Sequence, residues 1–221
     1  MSPSTKPLRI DIVSDVVCPW CIVGYRQLEQ ALQATGTDYE LFWHPFELNP
    51  AMPADGQNLA EHLAEKYGST AEQSRDNRAR LAAVGAELGF AFNFTDDSRM
   101  VNTFDAHQLI HWAETQEKAH EVKQALFAAY FTDRRDVWDR AVLADVASEI
   151  GLDRAEALAA LEDQRYASVV RAGEAFWQKQ GITGVPAVVF DQKHLVTGAQ
   201  GVENYTHMLG QLTELRAEPV A

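Results

Sequence analysis

The sequence predicts an α/β fold in which a long all-helical block separates a β-α-β half from a β-β-α half. Three patterns predict it. An apolar run at residues 8–15 is followed by a helical pattern that opens with the only two cysteines of the chain. Residues 57–180 then read as one helix after another, and strand character returns at residues 182–198. Removing the helical block from this order leaves a compact α/β sandwich.

The first half contains two predicted strands and the helix between them. Apolar residues dominate the first strand, at residues 8–15, and Gly36 ends the helix that follows. Residues 39–46 alternate and are rich in aromatics, which favours a second strand. Because proline cannot donate a ladder hydrogen bond, Pro45 indicates that this strand lies near an edge of the sheet. Prolines and Gly56 mark residues 47–56 as a loop.

The middle block shows no fixed-period repeat and is divided by helix-start and helix-stop signals. Ser69 to Glu72 offers a capping box before a helix that runs to Leu88. Residues 90–94 form a short apolar patch for which an extended conformation is predicted. Further helices are expected to begin near residue 102 and to cover residues 122–130, 139–150, 153–161 and 166–180.

The last part reads as a hairpin followed by a helix. Strands are predicted at residues 182–190 and 194–198, joined by a turn at 191–193, and an amphipathic helix at 202–215. The division of the chain predicts a discontinuous domain, residues 1–56 with 181–221. Residues 57–180 are predicted to form a helical insertion domain.

Charge and composition argue against some classes of binding partner. The chain of 221 residues has 19 basic and 32 acidic side chains, a net charge of −13, which argues against nucleic acid and against an anionic membrane surface. The first seven residues lack the apolar region of a signal peptide, and no apolar run reaches the length of a membrane span. The expected compartment is the cytoplasm, where a Cys-x-x-Cys pair is typically catalytic or redox-sensing.

Cys18 and Cys21 have the spacing of a redox pair. At the start of a helix they share one face, so their sulfurs can close a disulfide. Unpaired N–H groups at the helix start favour a thiolate, which makes Cys18 the attacking sulfur and Cys21 the resolving one. Half of a zinc site is the rival interpretation. No second Cys-x-x-Cys and no Cys-x-x-His is present, so no metal is expected.

The motifs resemble a known family. The Cys18-Pro19-Trp20-Cys21 motif after the first strand, and Gly184-Val185-Pro186 opening the third, are similar to those of the thioredoxin superfamily. With the runs at residues 46–50, 102–107 and 184–190, the chain resembles the FrnE-type branch of the DsbA-like thiol oxidoreductases over residues 8–215. The resemblance implies a thioredoxin-like fold with the helical insertion, and protein dithiol–disulfide exchange of the oxidase or isomerase type through a mixed disulfide.

The resemblance also suggests how substrate is held. It implies a cis peptide at Val185–Pro186 facing the Cys18 sulfur, with the Val185 backbone pairing with an extended chain; a trans proline that starts a strand is the alternative. Pro19 and Trp20 are expected to line the docking surface, although Trp20 could instead pack under the insertion. The expected partners are protein or peptide thiols and disulfides, with glutathione as a candidate exchange partner. No bound cofactor is expected, and both a monomer and a homodimer are compatible with the sequence.

Several other polar residues have more ordinary interpretations. His107 and His111 are one helical turn apart, but without a third ligand they are read as interior or surface histidines. Asp15 could accept a proton from Cys21 or cap the cysteine helix, and capping is favoured. Glu47 is read as solvated or capping.

Two other function classes stay open. The same layout occurs in glutathione-dependent transferases and in 2-hydroxychromene-2-carboxylate isomerases, which, as the resemblance has it, use a serine and bound glutathione in place of a cysteine pair. The alternative is therefore such an enzyme, with Cys18 activating glutathione. The second open function class is a redox-sensing binding module, whose disulfide changes its affinity for a partner without turnover.

Overall fold

A computed structural model describes residues 6–53 and 55–217 of the chain. One sheet contains strands β1 (Leu8–Ser14), β2 (Tyr39–Pro45), β5 (Ala187–Phe190) and β6 (His194–Thr197), in the order β2-β1-β5-β6. β1 pairs in parallel with β2 and antiparallel with β5, and β5 pairs antiparallel with β6. β2 therefore lies at an edge, as Pro45 predicts.

Two helices belong to the β-α-β and β-β-α halves that form this sheet. Seven more lie between these two along the described chain. The first two are α1 (Pro19–Thr35) and α9 (Val202–Ala217), which pack on each other. The others are α2 (Leu59–Tyr67), α3 (Ala71–Glu87), α4 (Phe104–Glu114), α5 (Ala119–Phe127), α6 (Arg140–Glu149), α7 (Arg154–Glu162) and α8 (Ala167–Lys179). Strands β3 (Gln57–Asn58) and β4 (Arg99–Met100) pair as a short antiparallel ribbon within this block. In the described ranges, no helix combines the length and apolar character needed to cross a bilayer.

The sheet is covered on both faces, because side chains alternate along β1. Leu8, Ile10 and Ile12 belong to the core formed with α1 and α9. Val13 belongs to a separate cluster that contains Trp177 of α8. The C-terminal end of β1 and the start of α1 lie where the sheet meets the helical block.

Three local details differ from the sequence-based predictions. The capping box before α3 uses Thr70 and Gln73, one residue later than Ser69 and Glu72, because Thr70 rather than Ser69 directly precedes the first helical residue. Residues 90–94 do not form a strand, and Phe90 and Phe92 pack instead on Phe131. Phe131 lies in a π-helical turn, Ala128–Thr132, that continues α5.

Asp11 is the buried charge of the central strand. Its carboxylate accepts hydrogen bonds from the Arg9 guanidinium and from His44 Nε2, each at 2.8 Å. Burial raises the pKa of Asp11, but these bonds outweigh burial and lower it to about 2. Ionised Asp11 therefore stabilises the folded chain above the ordinary pKa of aspartate.

Replacing this carboxylate should make stability depend on pH. Asp11→Asn is expected to lower the free energy of unfolding by about 2 kcal/mol at neutral pH, a difference that shrinks as pH falls from about 4 towards 2. The sign follows from the lowered pKa, since protonation removes the contribution of the carboxylate from the unmodified chain, whereas the Asn variant lacks that contribution at every pH. Denaturant unfolding at a series of pH values measures it, with Asp38→Asn, at an exposed position, as the control. A difference that stays constant between pH 2 and 7 contradicts the assignment.

Candidate functional site

The two cysteines lie where the sequence places them, at the start of α1. Cys18 is the residue that precedes the helix, with extended backbone angles, and Pro19 occupies the first helical position. Proline fits there because the first N–H groups of a helix have no partner within it. Both cysteines are free, and the Cys21 N–H donates to the Cys18 carbonyl at 3.0 Å.

Only one of the two sulfurs borders open space. Cys18 is 4% exposed and Cys21 is fully buried. A cavity of about 400 Å³, here called the Cys18 cavity, is lined by Cys18 but not by Cys21. Its walls are mainly apolar and come from both the sheet half and the helical block of the chain. They include Leu48, Leu63, Leu81, Phe94, Met100 and Phe131. Cys18 is therefore reached through this cavity, and Cys21 lies behind it.

The ionisation of each thiol in the pair depends on the other. The interaction with Cys21 and then burial raise the pKa of the Cys18 thiol. Burial also raises the pKa of Cys21, but Cys18, the neighbouring Ser14 hydroxyl and the charge of Lys123 outweigh it, so that the pKa of Cys21 is lowered. The interaction between the two sulfurs thus favours ionisation of one cysteine and opposes ionisation of both. A thiolate on Cys18, favoured by the helix start, stays a prediction.

Val185 and Pro186 lie against Cys18. The peptide bond between them is cis, and Cys18 Sγ donates to the Val185 carbonyl oxygen at 3.7 Å. Val185 is half-buried and lines the Cys18 cavity. Gly24 allows this approach, since a Cβ there would lie 3.3 Å from Pro186 Cγ. No sequence-based prediction pointed to Gly24.

Pro19 and Trp20 line the Cys18 cavity on the α1 side. Trp20 is 37% exposed, and the Arg80 guanidinium of α3 lies 5.6 Å from the centre of its ring. The indole thus contacts the helical block while part of its surface stays open. Cys18, Pro19, Trp20 and Val185 all border one cavity, and Pro186 lies next to it.

Asp15 does not cap α1, so the favoured interpretation of this residue is wrong. Its Oδ2 accepts the Leu48 N–H at 2.7 Å, and its Oδ1 lies 3.5 Å from His107 Nε2. Both Asp15 and His107 are buried. Burial raises the pKa of Asp15, but His107 and the Leu48 N–H outweigh it and lower the pKa. His107 also approaches the Phe46 carbonyl at 3.1 Å, whereas His111 pairs with Glu114 on the surface.

Lys123 is the site residue that sequence reasoning missed. It is 1% exposed, and its Nζ lies 3.5 Å from the Ser14 carbonyl and 4.9 Å from the centre of the Phe127 ring. Burial lowers the pKa of Lys123 to about 8, although Cys21 and Asp15 act in the opposite direction. A signal existed, because Lys123 shares the apolar stripe of α5 with buried neighbours.

Glu47 is buried rather than solvated, contrary to the sequence-based interpretation. It pairs with Arg171 of α8 and accepts from the Asn102 amide at 3.1 Å. Burial and the nearby Glu174 raise the pKa of Glu47 to about 7. These contacts join the loop after β2 to α8 and to Asn102, just before α4. Leu48, whose N–H donates to Asp15, is the next residue in that loop.

Comparison with known proteins identifies the family. The model of the DSBA-like thioredoxin domain matches residues 9–210. The chain belongs to this family. The uncharacterized protein YwbO of Bacillus subtilis (strain 168) is 30% identical over 195 residues, which cover 88% of this chain and 92% of YwbO. The predicted thioredoxin-like fold is thereby confirmed.

Solved structures support the same assignment. The crystal structure of SCO1869 from Streptomyces coelicolor, described as a probable DsbA oxidoreductase, has a TM-score of 0.89 at 35% identity and covers 97% of this chain and 93% of its own. Two more distant structures show the fold alone. The cytosolic disulfide reductase DsbM of Pseudomonas aeruginosa, solved with GSH, has a TM-score of 0.66 at 16% identity, covering 93% and 99% of the two chains. A 2-hydroxychromene-2-carboxylate isomerase has a TM-score of 0.70 at 13% identity, covering 96% and 100%.

Family and residues agree on the reaction class. The DsbA-like domain carries a cysteine pair at a helix start, with one sulfur bordering a cavity. The protein is a thiol–disulfide oxidoreductase.

Proposed function

We propose that the protein exchanges dithiols and disulfides with peptide or protein partners through Cys18 and Cys21, as a member of the FrnE-type branch of its family. One observation carries this proposal: Cys18 borders a cavity, whereas Cys21 is buried directly behind it. An attacking sulfur must reach the partner, and a resolving sulfur needs to reach only the attacking one. The arrangement therefore supports attack by Cys18 and resolution by Cys21.

The reduced pair can begin the reaction by an internal proton shift. Cys18 holds its proton against the Val185 carbonyl, and the lowered pKa lies on Cys21. Transfer of that proton to Cys21 leaves a thiolate on Cys18, which attacks one sulfur of a partner disulfide. The partner S–S bond breaks, a mixed disulfide forms, and the partner's other sulfur leaves as a thiolate. Cys21 then gives up its proton, attacks Cys18 Sγ and releases the second partner thiolate.

The Cys18 cavity suits a flexible segment with apolar side chains. Its lining combines aliphatic and aromatic groups with the exposed edge of Trp20. Val185, half-buried beside Cys18, offers backbone for pairing with an extended chain. Glutathione is retained as a second exchange partner, because a tripeptide thiol is small enough to enter a cavity of about 400 Å³. A cytoplasmic location stays a prediction.

The isomerase-like alternative has a specific point in its favour. An aromatic-walled cavity next to a thiol could also hold a small aromatic substrate with glutathione. In that reaction only Cys18 acts, and Cys21 is dispensable. The two candidates therefore differ in what they require of Cys21.

Cys21→Ser separates them. Because the resolving thiol is missing, the variant is expected to accumulate a mixed disulfide on Cys18 when mixed with an oxidised peptide or with oxidised glutathione. Intact-mass analysis without reductant measures the adduct, and reductant removes it.

The matched control is Cys18→Ser, which should collect no adduct on Cys21. Undiminished turnover of a glutathione-dependent isomerisation by Cys21→Ser supports the alternative. Failure of the unmodified chain to accelerate insulin reduction by dithiothreitol supports the redox-sensing module.

A further inference from the structure

The charged side chains that line the Cys18 cavity have a sign opposite to that of the whole chain. The chain carries 32 acidic and 19 basic side chains. None of the described residues that line the Cys18 cavity is an aspartate or a glutamate, whereas Arg78 and Arg80 of α3 both line it. The space in front of Cys18 is therefore the place where an acidic protein presents positive charge. Such a local reversal favours a partner with negative charge beside its sulfur.

Arg80 is the charge of this cavity that a partner can use. Arg78 is already paired with Asp96, with 3.0 Å between Nη2 and Oδ1. Burial and then Lys66 lower the pKa of His62, which also lines the cavity, so its imidazole is neutral at pH 7. Arg80 is exposed and forms no ion pair with any carboxylate in the part of the chain that the structure describes. Its guanidinium donors therefore stay available.

The position of Arg80 brings this charge close to the reacting sulfur. Its guanidinium lies 5.6 Å from the centre of the ring of Trp20, the residue just before Cys21. The Val185 carbonyl meets Cys18 Sγ from another wall of the same cavity. In an extended chain, residues two positions apart lie about 6.5–7 Å from each other and point to the same side. A carboxylate one or two positions from a bound cysteine is thus within reach of Arg80.

We propose that Arg80 binds an acidic side chain of the partner, one or two positions from the partner cysteine, so that acidic peptide segments exchange faster than neutral ones. This inference rests on the proposed dithiol exchange and names its substrate class. The forked donors of a guanidinium match a carboxylate, and the apolar walls of the cavity hold the neighbouring side chains. Arg80 selects the partner, whereas Cys18 and Cys21 carry out the same bond exchange with every partner.

Oxidation of the reduced chain by symmetric peptide disulfides tests the proposal. Two acetylated and amidated peptides, each with one cysteine and apolar neighbours, differ only in a glutamate or a glutamine two positions before the cysteine. With the unmodified chain at low salt, the glutamate peptide is expected to react about fivefold faster. In Arg80→Gln the ratio of the two rate constants should fall to about one. Because both proteins receive the same two peptides, differences in the intrinsic reactivity of the disulfides cancel.

Variants of the same helix serve as controls. Arg75→Gln removes an equal charge from α3 at an exposed residue outside the cavity, so it should keep the fivefold preference. Arg80→Lys should keep part of the preference, and Arg80→Glu should reverse it. Raising the ionic strength to about 0.5 M should reduce the preference of the unmodified chain to about twofold or less. Acid quenching, alkylation of the free thiols and mass analysis give the rate constants.

The outcomes separate this inference from the proposed function. Equal rate constants for the two peptides with the unmodified chain overturn the inference, and so does a preference that survives in folded Arg80→Gln. Glutathione disulfide is the third substrate, because it carries carboxylates on a smaller molecule. A loss of rate in Arg80→Gln that is confined to glutathione disulfide assigns Arg80 to a small thiol and overturns the choice of a peptide. If the unmodified chain reacts with none of the three disulfides, the proposed function fails instead.

Discussion

Replacing Cys18 by serine is expected to lower catalysed dithiol–disulfide exchange by about a thousandfold or more, since Cys21, the other cysteine of the chain, does not line the Cys18 cavity. The hydroxyl cannot form a disulfide, and Cys21 is completely buried. Insulin reduction by dithiothreitol, corrected for the uncatalysed rate, measures the loss.

The control for this variant is its thermal unfolding, which should stay close to that of the unmodified chain because serine nearly matches cysteine in size. Residual activity above about a tenth of the unmodified rate in a folded Cys18→Ser protein contradicts the assignment of attack to Cys18.

Phe131→Ala should have the largest effect on stability. Phe131 is 2% exposed, and its ring lies 5.0 Å from that of Phe92 and 4.8 Å from that of Tyr130, centre to centre. It belongs to the core that includes α1 and also lines the Cys18 cavity. Loss of this ring is expected to lower the free energy of unfolding by about 3–5 kcal/mol. The enlarged cavity should also weaken partner binding, seen as a higher KM.

Denaturant unfolding measures the first effect, and two variants bracket it. Phe131→Leu should cost clearly less, because most of the volume is kept. Phe176→Ala, at a side chain that is 52% exposed, should change stability by no more than about 0.5 kcal/mol. Equal losses for Phe131→Ala and Phe176→Ala contradict the packing described for the π-helical turn.

Much of the architecture could be predicted because its signals are local. The apolar alternation of β1, Gly36 after α1 and the proline in β2 each act within a few residues. The predicted order of strands and helices agrees with the structure, apart from the β3–β4 ribbon inside the block that was predicted to be all-helical. The failures also have local causes. From the sequence, Ser69 and Thr70 are equally good caps for α3. Only the backbone conformation shows that Thr70 is the residue that caps it. The phenylalanines at residues 90–94 do not form a strand, because they pack on Phe131, which lies in the π-helical turn.

The site could be predicted only in part. Cys18 and Cys21 lie three positions apart in the sequence, and Val185–Pro186 belongs to a recognisable motif. The groups behind the pair are not local: Asp15 meets His107 across 92 positions, and Lys123 reaches the Ser14 carbonyl from another element. A lysine on a helix is normally solvated, so only its place on an apolar stripe hinted at burial.

The central claim is that Cys18 is the sulfur a partner can reach, and limited alkylation of the reduced unmodified chain tests it most directly. Iodoacetamide at pH 7, stopped after partial reaction, should place its label on Cys18, with Cys21 labelled only after unfolding. Peptide mapping by mass spectrometry reads out the position. A label that appears first on Cys21, or a folded chain that reacts at neither cysteine, would contradict the account.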